Sequence, residues 1–193
     1  MEYSAAKDQV SAGLITNPTA GDMVGAGGVY TVTCVGPDGV EKWSDTFHNL
    51  VMNAGLANMN SVYFVSGSQS VVWYLGLVTG PGSGTTYSAT DTLASHGATG
   101  SGGWTENTDY SGNRKTVTFG SATTANPSVV TNSASPSSFT MTGTATIAGA
   151  FLCNAASGTA GVLFSAGDFT GGDKSVASGD TLNVTYTFSL TAT

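Results

Sequence analysis

At 193 residues and a net charge of −7, the chain has the length of one domain and the wrong sign for phosphate. Five Lys and Arg cannot lay a basic stripe along a nucleic acid or hold an anionic membrane surface, so neither partner is expected. Ser and Thr number 52 and Gly 27 while charged residues make up 9%, which favours short strands and many turns over helices; the 40% hydrophobic content excludes wholesale disorder.

In chain order, residues 1–27 read as an arm. Asn17-Pro18, Gly21-Asp22 and Gly25-Ala26-Gly27-Gly28 break any pattern, and Val10, Leu14, Ile15, Met23 and Val24 are scattered apolar anchors. Leu14, Ile15, Met23 and Val24 are the candidate partner-binding residues of this arm, and residues 28–193 are the expected globular domain. Val29 to Phe47 predicts a hairpin around Gly36-Pro37-Asp38-Gly39, where Pro presets φ and Gly accepts a positive one. Its return strand puts Glu41, Trp43, Asp45 and Phe47 on one face, a mixture that suits an edge. Met52, Leu56 and Met59 recur at helical spacing, so one short helix is expected over 49–59, capped by Asn49 or Asn53 and plugging one end of the fold.

Ser70 to Thr79 is nearly continuous apolar sequence, the pattern of a central strand buried on both faces. Gly80 to Gly103 is a long Gly, Ser and Thr-rich connection, with one helical turn expected at Asp91-Thr92-Leu93-Ala94; connections of this length inside a compact domain are usually functional or bind something. Short strands follow around the Tyr110-Ser111-Gly112-Asn113 turn and at Val129-Val130. Phe139 to Ile147 alternates as a two-faced strand, and its small residues Gly143 and Ala145 leave room for Trp73 or Trp104. Ala150–Cys153 and Val162–Phe164 flank a Gly158–Gly161 turn. The last stretch, Thr181 to Thr191, puts Leu182, Val184, Tyr186, Phe188 and Leu190 on one parity and hydroxyl residues on the other. Eight to ten strands at this spacing predict an all-β, antiparallel β-sandwich, with an eight-stranded jelly roll as the preferred topology.

Chemistry is sparse. No His-Glu-x-x-His, Cys-x-x-Cys or Gly-x-Ser-x-Gly motif occurs, and the Gly clusters lack the Lys-Ser/Thr that a phosphate loop needs, so no cofactor, no metal and no enzymatic activity are expected. Cys34 and Cys153 read as buried free thiols. Glu106 and Asp109 beside Trp104 and Tyr110 have the residue types of a glycosidase pair, but nothing fixes their separation, and an ion pair with Arg114 explains both. Asp168, Asp173 and Asp180 match no EF-hand spacing and sit where turns favour Asp.

Three stretches carry a resemblance: Thr46-Phe47-His48-Asn49-Leu50-Val51-Met52-Asn53-Ala54-Gly55-Leu56, Trp73-Tyr74-Leu75-Gly76-Leu77, and Asp91-Thr92-Leu93-Ala94 with Trp104-Thr105-Glu106. With the run from Gly149 through Gly161-Val162-Leu163-Phe164 to Leu182, they resemble a group of small tailed-phage virion proteins, over residues 43–191. The resemblance implies a structural role on the virion, as a capsid decoration or cement protein. Such a protein is made in the host cytoplasm, is trimeric, and is partnered by the major capsid protein and by its own copies. A second expectation is a tail- or fibre-associated protein whose glycan-binding face is made by Trp104, Tyr110 and Tyr87.

Overall fold

The computed structural model describes residues 24–69, 72–80, 87–95 and 103–192. Strand β1 (Val24–Val35) turns through Gly36–Gly39 into β2 (Glu41–His48), and a two-residue strand β3 (Leu50–Val51) leads into the helix α1 (Asn53–Phe64). Then come β4 (Trp73–Thr79), β5 (Thr105–Asn107), β6 (Lys115–Val117), β7 (Ser128–Thr131) and β8 (Ser137–Thr140). The chain ends with β9 (Ala145–Cys153), β10 (Leu163–Asp168), β11 (Lys174–Val176) and β12 (Thr181–Ala192).

All pairings are antiparallel and build two sheets that face each other as a sandwich, the expected fold class. The first has the order β2-β1-β12-β7, with β8 also on β12; the second has β3-β10-β9-β4-β5, with β6 also on β4 and β11 on β9. Twelve strands among the described residues exceed the expected eight to ten because several have only two or three residues.

The terminal strand β12 organises the first sheet, pairing with β1 over its whole length and with β8 and β7 end to end on its other side. Its alternation is what the sequence predicts: Leu182, Val184 and Tyr186 are buried, while on the outer face the Thr187 hydroxyl donates to Thr131 and the Ser138 hydroxyl donates to the Asn183 side-chain oxygen. β2 is an edge strand as expected. Its mixed face is reconciled by the loop after β10. Trp43 and Phe47 pack edge-on against Phe169, while the Asp45 carboxylate accepts the backbone N–H groups of Thr170 and Gly171 at 3.0 and 3.1 Å.

β4 is the expected central strand. One of its faces meets the main core between the sheets, where Leu75 and Leu77 pack with Tyr30, Phe139 and Tyr186. The other meets a smaller core formed by Val78 with Leu93, Trp104, Phe151 and Leu163. The long connection after β4 therefore supplies packing residues in its described parts. Leu93 to Ser95 form a turn there, at the place of the expected helical turn, and reciprocal Thr92 and Ser95 bonds fasten it.

Three expectations are corrected. The helix begins at Asn53, because Leu50 and Val51 pair with Ala166 and Ser165 and the Met52 N–H donates to the Phe164 carbonyl at 2.8 Å. No side chain caps it, so neither Asn49 nor Asn53 does. Its packed face starts at Gly55, whose missing side chain lets the helix lie on Phe164, and Leu56 points outward. Phe139 to Ile147 is two strands: Met141 bridges to Tyr110, the chain bends at Gly143, and β8 and β9 join different sheets. The alternation survives because both sheets present their inner residues to one core. Neither tryptophan fills the space at Gly143, where Asp109 is the nearest neighbour; Trp73 packs on Phe164 and Trp104 on Phe151.

Candidate functional site

Of the residues singled out in the sequence, Val10, Leu14, Ile15 and Met23 lie outside the described residues. Val24 opens β1 at 71% exposure, so Val24–Gly27, assigned above to the arm, are the first rungs of the strand. Trp104 and Tyr110 are corrected. At 2% and 5% exposure both are core residues and offer no ring face to a partner or a sugar. Tyr87 leans on Trp104 and donates its hydroxyl proton to Asp168 at 2.7 Å, which commits that ring too. Glu106 binds Arg114 through two short bonds of 2.7 and 2.6 Å with both side chains buried, whereas Asp109 accepts from Asn107 and does not reach Arg114.

Cys34 and Cys153 are free and buried, and burial pushes the Cys34 thiol up to about 11 and raises Cys153 as well. Both are protonated at neutral pH, a poor state for nucleophilic chemistry. No group of three or more His, Cys, Asp or Glu able to hold a metal occurs among the described residues.

Asp180 does structural work. It accepts from Lys42 Nζ at 2.7 and 2.9 Å and from the Ala177 N–H at 2.9 Å, closing the turn before β12. Burial pushes its carboxyl up, but the Lys42 and Ala177 hydrogen bonds outweigh it and leave the carboxyl below the ordinary value. A carboxyl lowered on folding stabilises above the unfolded value of about 4 and loses that contribution as pH falls through its folded value. The denaturation midpoint of the native protein should therefore exceed that of Asp180→Asn at pH 7, with the gap closing below about pH 4. A gap constant down to pH 2 would refute the assignment.

The feature that remains without a structural explanation lies at the end of the sandwich next to α1. An apolar groove of about 290 Å³ opens there between the helix and the two sheets. Met59, Val62 and Tyr63 line it from α1, Phe188 and Leu190 from β12, and Trp73 and Phe164 from the second sheet. Its origin can be read from the register. In an antiparallel pair, opposed residues share a face, and Phe188 and Leu190 stand opposite Gly28 and Ala26. β1 thus contributes almost no side chain where β12 contributes two large ones. Tyr186 covers Gly28, and Ala26 stays exposed.

Beside this groove α1 ends in Tyr63, Phe64 and Val65, exposed to 76%, 83% and 73%. The end is firmly made: Val65 and Gly67 both donate to the Ser61 carbonyl, at 3.1 and 2.8 Å, and Ser66 takes a positive φ of 60°. Three successive large apolar side chains are thus held in water by a hydrogen-bonded turn. The sequence reading stopped the helix at Met59 and missed them. The available signal was Val62-Tyr63-Phe64-Val65, an apolar run with no polar residue to alternate with, just before Ser66-Gly67-Ser68.

Two antiparallel sheets, two buried apolar cores and an open apolar groove at one end define a β-sandwich with an exposed apolar surface beside its helix. The chain matches no protein-family model, no curated protein and no solved structure.

Proposed function

We propose that the chain is a structural protein of a tailed-phage virion, a non-enzymatic subunit that attaches to the assembled major capsid lattice and holds it together. The observation that carries this reading is the exposed Tyr63-Phe64-Val65 end of α1 beside an open apolar groove, a surface that a solitary subunit would leave in water. The sequence resemblance over residues 43–191 supplies the kind of particle.

The outer face of the first sheet supports the same reading. Thr31 pairs with Thr46 at 3.0 Å, Thr33 with Ser44 at 3.1 Å, and Thr187 with Thr131 at 2.9 Å. Neutral hydroxyl ladders can be covered without stripping water from ions, and interface centres are depleted in charge. The mechanism is mass action: a subunit that binds only the assembled lattice stabilises that state by about 2.7 kcal/mol per site at a hundredfold excess over Kd.

The test is occupancy. Phe64→Ser and Tyr63→Ser alter side chains more than 70% exposed and should leave folding untouched. Each should weaken attachment to purified particles lacking the protein by about tenfold or more, since a buried aromatic anchor is worth at least 1.4 kcal/mol. Equal occupancy by native and variant chains would remove the surface from the proposal. A reconstruction of the infectious particle without this subunit would remove the role.

A further inference from the structure

An occupant of the groove has to suit its shape and its neutrality. An apolar cavity of about 150 Å³ holds one benzene, so a 290 Å³ space takes two aliphatic side chains. Those side chains have apolar walls on two sides, α1 with Met59 and Val62 and β12 with Phe188 and Leu190. A segment passing between them in extended form projects successive residues to opposite sides. It therefore needs two adjacent large aliphatics. Before Met23 the chain has one such pair, Leu14-Ile15, inside the uncharged run from Gln9 to Gly21. The polar groups lining the groove, among them Asn58, Gln69 and Ser128, are uncharged as well, so burial strips no ion of its water.

The direction of β1 decides whose pair it is. The strand runs inward from Val24, opposite Ala192, past Ala26 opposite Leu190 and Gly28 opposite Phe188. β1 thus begins at the tip of the first sheet, two residues beyond Ala26. Entering its own groove requires a reversal within residues 16–23. Reaching a neighbour requires none, and eight extended residues span about 26–29 Å.

We infer that the groove of one copy receives Leu14 and Ile15 of a second copy, clasping subunits together. This deepens the assembling role proposed above by naming a partner for the groove, and it rests on that role.

The test is a cross-link between full-length chains. Ile15→Cys and Val62→Cys, made separately and mixed under mild oxidation, should give a two-chain disulfide product that neither variant gives alone. Cys34 and Cys153 are fully buried and do not compete. A double variant that closes only within one chain shows a segment bound to its own groove and overturns the inference, as does the absence of any link. In the otherwise native chain, Leu14→Asp with Ile15→Asp should weaken self-association measured by light scattering at least about tenfold; unchanged association overturns it. Chains that link in this way but never join a particle would sink the virion role and leave the exchange standing.

Discussion

Replacing Arg114 with alanine should lower the unfolding free energy by about 3–5 kcal/mol, the usual cost of leaving one member of a buried ion pair without its partner. Arg114 and Glu106 expose only 1% and 5% of their side chains. The guanidinium also donates to the Ala155 and Gly158 carbonyls at 3.0 and 2.9 Å and lies 5.2 Å from the centre of the Phe151 ring. It thus ties β5 to the turn after β9 through several bonds at once. Glu106→Ala should cost a similar amount, because it strands the cation. The double variant Glu106→Leu with Arg114→Met should lose much less than the sum of the two single losses, since well-packed apolar replacements remove both charges together. Urea denaturation of the four proteins measures this. Additive losses would mean that the two side chains act separately, contrary to their geometry.

That pair also shows why residue types on a sequence mislead about chemistry. Glu106, Asp109, Trp104 and Tyr110 have the composition of a sugar cleft, and all four stand within seven residues. Yet the strand pairing of Thr105–Asn107 with β4 turns Glu106 toward Arg114, and Trp104 and Tyr110 go to two different cores. What was legible was everything with a period of two, β12, the β1–β2 hairpin and even the inward parity of Phe139 and Ile147 across a break that the pattern does not record, together with the central β4 as an unbroken apolar run. The break was illegible because both sheets ask the same thing of that stretch. The groove was illegible for a related reason. Gly25 to Gly28 look like loop glycines, and only their register against Phe188 and Leu190 makes them a strand that leaves space. The exposed end of α1 was readable as an uninterrupted apolar run, but its exposure depends on the Ser61 carbonyl ending the helix where it does.

Phe151→Ala is the second large loss, about 3–5 kcal/mol for a buried phenylalanine. Phe151 is fully buried in the smaller core, stands opposite Gly76 on β4, and packs against Trp104 at 5.5 Å. Gly76 has no side chain because the ring occupies that place: a methyl there would overlap the Phe151 ring atoms. This makes a prediction of sign as well as size. In the native background Gly76→Ala should destabilise by about 1–3 kcal/mol through overpacking. In the Phe151→Ala background the same methyl enters vacated space, and alanine in a strand interior is favoured over glycine by about 0.5–1 kcal/mol. Gly76→Ala should therefore be neutral or stabilising there. Denaturation midpoints of the four proteins decide it. If Gly76→Ala costs the same in both backgrounds, the glycine is kept for its backbone, and the aromatic cover over β4 is not what holds the outer face of the second sheet together.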